Sequence, residues 1–211
     1  RFNLLSSFGI DKYWRSQLIK KINISSNDTV LDVATGTGDV ALNLYKKYNA
    51  HVTGIDIAGN MVEIANKKVI KYKTDKMNFV EGDAESISFP DNSFNALTIS
   101  FGFRNLGSYD KALSEFYRVV SPNGRIAILE FSKSKSKWFS PLFNFYFNKV
   151  VPKIGAMLSR KDAFLYLPES VDYFLKREQL CDLMKNAGFK NVQYSDYTFG
   201  VATIYTGDKI E

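Results

Sequence analysis

Val30-Leu31-Asp32-Val33-Ala34-Thr35-Gly36-Thr37-Gly38-Asp39 reads as a buried strand that breaks into a glycine turn. The apolar run Thr29–Val33 suits a central parallel strand, covered on both faces and therefore without polar alternation. Gly36 and Gly38 have no Cβ, so the backbone there can pass close to a ligand. Neither Lys nor Ser/Thr follows the glycines in phosphate-loop spacing, which disfavours a nucleoside triphosphate. Val40-Ala41 stands where a dinucleotide fingerprint has its third glycine, so that pattern is incomplete. A second strand, Val52-Thr53-Gly54-Ile55-Asp56, ends in an acid 24 residues after Asp32. A carboxylate at that place can accept both ribose hydroxyls of a nucleoside.

Strands and helices alternate from there. Residues 40–48 and 60–72 carry helical patterns, and 109–120 reads as a helix closed by Pro122 and Gly124. Residues 51–57, 77–81, 94–100 and 125–131 read as strands, with the loop 82–92 between two of them. A further helix, 177–187, stops at Gly188. Residues 191–198 and 201–206 then form a hairpin about Phe199-Gly200. The pattern predicts an α/β fold with a mostly parallel seven-stranded sheet and a C-terminal antiparallel hairpin. The loop Gly82-Asp83-Ala84-Glu85 follows the third strand, where Asp83 can take an adenine amino group; Ile57, Met61 and Phe79 are available to sandwich the ring, though apolar residues at such positions are more often simple core.

Composition narrows the class. A chain of 211 residues with 45% hydrophobic content can bury one substantial core, and 24% charged residues is ordinary for a folded domain. The net charge of +6 would attract nucleic acid or an anionic membrane, but lysines are interspersed with acids and no basic run reaches five. A solvated surface accounts for it. One cysteine, Cys181, permits no intrachain disulfide and fits a reducing compartment; Leu180, Leu183 and Met184 around it suggest a small core hydrophobe on a helix face. The single histidine, His51, opens a strand, which argues against a His/Cys metal cluster. The chain begins at Arg1 rather than a methionine, so a targeting segment stays open. Residues 138–158 hold Trp138, Phe139, Phe143, Phe145, Tyr146 and Phe147 but are interrupted by Pro141, Pro152, Lys149 and Lys153. This is too broken for a membrane span and reads as a helix over the sheet, an apolar lid, or both.

Asp32-Val-Ala-Thr-Gly-Thr-Gly38, Asp56 and Gly82-Asp83-Ala84 together resemble the class I S-adenosylmethionine-dependent methyltransferases. Arg1-Phe-Asn-Leu-Leu-Ser-Ser-Phe-Gly-Ile-Asp-Lys-Tyr-Trp14 resembles the N-terminal signature of the quinone-biosynthesis C-methyltransferases, which act on demethylmenaquinol and on a ubiquinol precursor. Arg118-Val-Val-Ser-Pro-Asn-Gly-Arg-Ile-Ala-Ile-Leu-Glu-Phe-Ser132 resembles their second signature, and Ser100-Phe-Gly-Phe-Arg-Asn105 and Tyr166-Leu-Pro-Glu-Ser170 are similar to further family segments. The resemblance covers essentially the whole chain. It departs at Asp11, where the family usually has histidine, and at Asn123, where the family has the first glycine of a Pro-Gly-Gly turn. Asn tolerates the left-handed backbone such a turn needs. The Tyr-Asp that normally precedes the first signature is absent from this chain.

The resemblance implies a Rossmann-like class I methyltransferase fold with a helical lid. It implies a single domain over residues 1–211, with N-terminal lid helices in 1–28 and an aromatic lid segment in 138–175. S-adenosyl-L-methionine is the implied cofactor, held by Asp32, Gly36, Thr37, Gly38, Asp56, Ile57, Met61, Asp83, Ala84 and Ser100, with Arg104 and Asn105 as catalytic residues. The implied substrate is a polyprenyl hydroquinol, because a sulfonium methyl is an electrophile and an oxidised quinone ring is electron-poor. Arg104 cannot itself readily lose a proton; it would hold a water that acts as base or stabilise the developing phenolate, while Asn105 orients the hydroxyl or the water. The alternative for Arg104 is an ion pair with Asp110 or Glu115. The resemblance also implies a cytoplasmic enzyme with peripheral membrane contact (on the matrix side of mitochondria in a eukaryote), working as a homodimer or in a biosynthetic complex, without nucleic acid. Naphthoquinol and benzoquinol acceptors both stay open. So do another small apolar acceptor such as a sterol or phenol, and a non-catalytic cofactor-binding subunit. An RNA-binding relative is disfavoured, because the aromatics cluster where charge is sparse.

Overall fold

The computed structural model describes residues 9–134, 170, 171 and 173–211. Helix α1 (Ile10–Lys21) leads into β1 (Thr29–Val33), α2 (Asp39–Tyr48), β2 (His51–Asp56), α3 (Gly59–Tyr72) and β3 (Met77–Glu81). Then come β4 (Phe94–Ser100), a 3-10 turn Phe103–Asn105, α4 (Tyr109–Val119), β5 (Val120–Phe131), α5 (Arg177–Asn186), β6 (Lys190–Tyr197), a second 3-10 turn Thr198–Gly200, and β7 (Ala202–Asp208).

The seven strands form one sheet in the order β3-β2-β1-β4-β5-β7-β6. β1 pairs in parallel with β2 on one side and β4 on the other, and β7 is antiparallel to both β5 and β6. Chain direction across the sheet therefore reverses between β1 and β4, and a crevice opens at the carboxyl ends of these two strands. Alternation along each strand sorts the core into two layers. Val30, Ala96 and Leu129 face α1, α2 and α3 together with Trp14, Leu18, Leu44 and Val62. Leu31, Leu97 and Ile128 face α4 and α5 together with Phe116, Leu180 and Met184. Cys181 packs on the second face, as its neighbours in sequence indicate, and burial pushes its thiol up.

The expected strands and helices are found, with shifted ends. β5 is the one substantial difference: it starts at Val120, not at residue 125. Pro122 and Gly124 do end α4, but the chain stays extended, and pairing with β4 jumps from Phe94↔Val120 to Ala96↔Arg125. Asn123 takes φ 63 there, the left-handed backbone that lets it stand in for glycine. The hairpin connection is a 3-10 turn in which Thr198 and Phe199 have φ 49 and 57, and Trp14 Nε1 donates to Thr198 Oγ1 at 2.8 Å, fixing α1 against it. Among the described residues, no helix is long and apolar enough to cross a membrane. The aromatic stretch 138–158, most of the first signature and most of the 166–170 segment lie outside the described residues.

Candidate active site

The glycine turn is held from below and from one side. Asp32 ends inside the sheet, 1% exposed, and accepts from Thr35 Oγ1 at 2.6 Å and Thr98 Oγ1 at 2.8 Å. Burial pushes its carboxyl up to about 6, since loss of water penalises the charged form more than the two hydroxyls favour it. Asp32 thus shapes the turn from beneath. Gly36 and Gly38 adopt φ 55 and 73, and Ala34 is forced to φ 49. A Cβ at Gly38 would lie 2.7 Å from the Phe79 ring, and one at Gly54 only 2.4 Å from the same ring. Phe79, 4% exposed, is therefore the floor beneath the turn, the core role that the sequence also left open for it. Ile57 and Met61 are 75% and 37% exposed at the N-terminal end of α3.

Lys68, which sequence inspection passes over, reaches across from α3. Its Nζ donates to Thr37 O at 2.6 Å and to Asp39 Oδ1 at 2.5 Å, so the turn carries a lysine after all, supplied by another helix. Asp56, half-buried at the end of β2, accepts from Gly36 N at 2.7 Å through Oδ2 and from Ala58 N at 2.9 Å through Oδ1. These two donors fix the carboxylate while leaving lone pairs on both oxygens for a diol. Asp83 is exposed and accepts from Glu85 N at 2.9 Å, with Ala84 buried beside it. Ser100, at the end of β4, has a buried hydroxyl with no partner among the described residues. Such an oxygen is costly unless a ligand completes it. The donor set fits an adenosine and an amino-acid tail lying across β2, β1 and β4.

The loops after β1 and β4 come unusually close. Phe101 has φ 60, and a Cβ on Gly102 would sit 2.5 Å from Ala34 Cβ. Strained backbone of this kind persists where the surroundings impose it, and it marks the switch point. The chain then turns through Phe103–Asn105. Phe103 stacks on Tyr109 at 5.1 Å, and Tyr109 Oη donates to Arg104 O at 3.2 Å. Glu85 accepts from Gly107 N at 2.6 Å and Ser108 N at 3.0 Å, joining the loop that carries Asp83 to the loop that carries Arg104.

Arg104 pairs with a carboxylate, but it is Glu130 and neither Asp110 nor Glu115. Nη1 donates to Glu130 Oε1 at 2.5 Å and to Phe101 O at 2.9 Å, and Nε donates to Ser170 Oγ at 3.3 Å. Glu130, 0% exposed, also accepts from Arg104 N at 3.2 Å and Phe131 N at 2.9 Å. Glu115 is engaged elsewhere, with Arg118 and Ile87 N. Asn105 lies exposed beside this pair. The site thus places Asp56, the glycine turn, Ser100 and Arg104 along the carboxyl edge of neighbouring strands.

Comparison with known proteins bears on the family and the fold. The model of the ubiE/COQ5 methyltransferase family matches residues 1–209. The chain is 45% identical over 210 residues to the ubiquinone/menaquinone biosynthesis C-methyltransferase UbiE of Geotalea daltonii, covering 98% of this chain and 89% of that one. It is 43% identical over 209 residues to a demethylmenaquinone methyltransferase of Thermus thermophilus, covering 98% and 94%. A SAM-dependent methyltransferase from Aquifex aeolicus, of known crystal structure, aligns with a TM-score of 0.69 and 21% identity over 93% of this chain and 89% of that one. The last comparison shows the fold alone, and it is the Rossmann-like fold of class I methyltransferases. With its sequence matched almost end to end, the chain belongs to the ubiE/COQ5 methyltransferase family.

Proposed function

We propose that the protein transfers a methyl group from S-adenosylmethionine to a ring carbon of a reduced polyprenyl quinone precursor. The observation that carries this reading is the 45% identity, over 98% of the chain, to an enzyme named for C-methylation in ubiquinone and menaquinone biosynthesis. When bound, the cofactor supplies an electrophilic sulfonium methyl. Asp56 holds the ribose hydroxyls, Asp83 and Ala84 the adenine edge beside Ile57 and Met61, and Gly36, Thr37, Gly38 and Ser100 the remainder, over a turn supported by Asp32.

The Arg104–Glu130 pair bears on the acceptor. Glu130 offsets the guanidinium charge, so the pair acts through directed N–H bonds and not as a bare cation. Nη2 is the guanidinium nitrogen without a partner among the described residues. It is the donor available to the ring oxygen, or to a water that takes up the ring hydroxyl proton, with Asn105 alongside. Charge developing on that oxygen would spread to the neighbouring ring carbon and make it the nucleophile for a bound methyl donor. A fixed donor aimed at developing negative charge is worth about 10²–10³ in rate in comparable oxyanion sites.

Arg104→Lys tests the role. Turnover of a reduced quinol should fall by about that factor while affinity for S-adenosylhomocysteine stays within a few-fold; loss of affinity instead of turnover would remove Arg104 from catalysis. The prenyl tail is delivered from a membrane surface in this reading, by one chain of a homodimer or a biosynthetic complex. Liposome flotation without association, with or without anionic lipid, would contradict that delivery.

A further inference from the structure

The surroundings of Arg15 on α1 have no place in the roles assigned so far. Asp11, one turn earlier, is 3% exposed. Arg15 Nη2 lies 3.7 Å from Asp11 Oδ2, and Nη1 donates to Asp39 Oδ2 at 3.3 Å. The guanidinium carbon is 5.9 Å from the centre of the Phe101 ring. Asp39 opens α2 directly after the glycine turn, and Phe101 directly follows Ser100. Arg15 is thus tied to the ends of β1 and β4. Asp56, at the end of β2, lies across β1 from Phe101. An adenosine held at Asp56, with its tail laid across β1, would bring its amino-acid half toward β4 and Arg15.

Two features of the side chain point to a ligand. Its Nε is buried and has no hydrogen-bond partner among the described residues. Its Nη2, at 3.7 Å from Asp11, is within ion-pair range but beyond a hydrogen bond. Nε and Nη2 form the edge of a guanidinium that grips a carboxylate through two parallel bonds, and among the described residues no acceptor fills it. Asp39 is committed on its other oxygen to Lys68, so it holds Arg15 by one nitrogen and leaves that edge available.

We propose that Arg15 recognises the α-carboxylate of the methyl donor. The assignment rests on the methyl-transfer reading and extends it to a residue outside the glycine turn and the strand ends. Asp11 and Asp39 position the guanidinium and balance its charge, and Phe101 packs against its face.

Isothermal titration with S-adenosylhomocysteine and with its decarboxylated analogue tests this without turnover. The unaltered protein should bind the carboxylate-bearing ligand more than about tenfold tighter than the analogue. Arg15→Gln, checked for folding by thermal melting, should weaken S-adenosylhomocysteine by about 10- to 100-fold and leave the analogue unchanged. Arg15→Lys should recover part of the loss. Equal weakening of both ligands by Arg15→Gln would overturn the assignment. So would equal affinities in the unaltered protein, a result that does not depend on the variants folding. Failure of the unaltered protein to bind either ligand would overturn the cofactor reading itself.

Discussion

Replacing Glu130 with alanine is the sharpest perturbation the structure offers. Glu130 is 0% exposed and its partner Arg104 has only 6% of its side chain exposed. The substitution removes the acceptor of three N–H groups, Arg104 Nη1, Arg104 N and Phe131 N. It also leaves a guanidinium enclosed without a counter-charge. Breaking one side of a buried pair costs about 3–5 kcal/mol, a large part of the roughly 5–15 kcal/mol that holds a domain together. For a chain of this size that corresponds to a drop in Tm of about 6–20 °C. Glu130→Gln keeps the shape and one acceptor and should cost less. Removing both charges, Arg104→Met with Glu130→Met, should return stability to within about 1 kcal/mol of the parent, because neither charge is then buried alone. Urea unfolding of the parent, Arg104→Met, Glu130→Met and the double variant, followed by circular dichroism, gives the four corners of the double-mutant cycle. The double variant should bind S-adenosylhomocysteine and turn over nothing. A loss below about 1 kcal/mol for Glu130→Ala, or a double variant as unstable as the sum of its parts, would refute the pairing as described.

The two glycines of the turn should respond differently. Gly38→Ala drives a methyl to 2.7 Å from a buried phenyl ring at φ 73, which adds overpacking of about 1–3 kcal/mol to left-handed strain of about 1–2 kcal/mol. At Gly36 a Cβ meets nothing within 4 Å, so Gly36→Ala should lose less stability but more cofactor affinity, because the methyl stands on the open side of the turn; thermal melts and titration showing the reverse order would contradict this. Asp32 should impose a pH dependence on folding. Its carboxyl is raised to about 6 in the folded chain from 3.8, so its contribution is most favourable below about pH 4 and is lost as pH climbs through 6, by about 3 kcal/mol in all. Denaturant titrations from pH 4 to 8 should show that decline, and Asp32→Asn should flatten it; an unchanged slope in the variant would rule out Asp32 as its source.

The sheet was legible because central parallel strands advertise themselves as short apolar runs, and the glycine turn and Asp56 sit at fixed offsets from them. Asn123 was legible for a similar reason, since a left-handed turn admits few residues. What escaped reading was non-local. Glu130 meets Arg104 only because β4 and β5 run side by side, and nothing announces the contact across a separation of 26 positions, whereas Asp110 and Glu115 looked nearer along the chain. Lys68 reaches the turn from 31 residues away, and Phe79 becomes its floor only through the β2–β3 pairing. The early start of β5 was hidden by Pro122 and Gly124, which end a helix but do not prevent extended pairing on either side of a bulge.

The most direct test of the account is to incubate the purified protein with methyl-labelled S-adenosylmethionine and a demethylated naphthoquinol or benzoquinol, each in its reduced and oxidised form. Mass spectrometry should find one labelled methyl on a ring carbon of a reduced quinol and none on the oxidised quinones. No labelled product from either quinol, or equal labelling of the oxidised ring, would contradict the central claim.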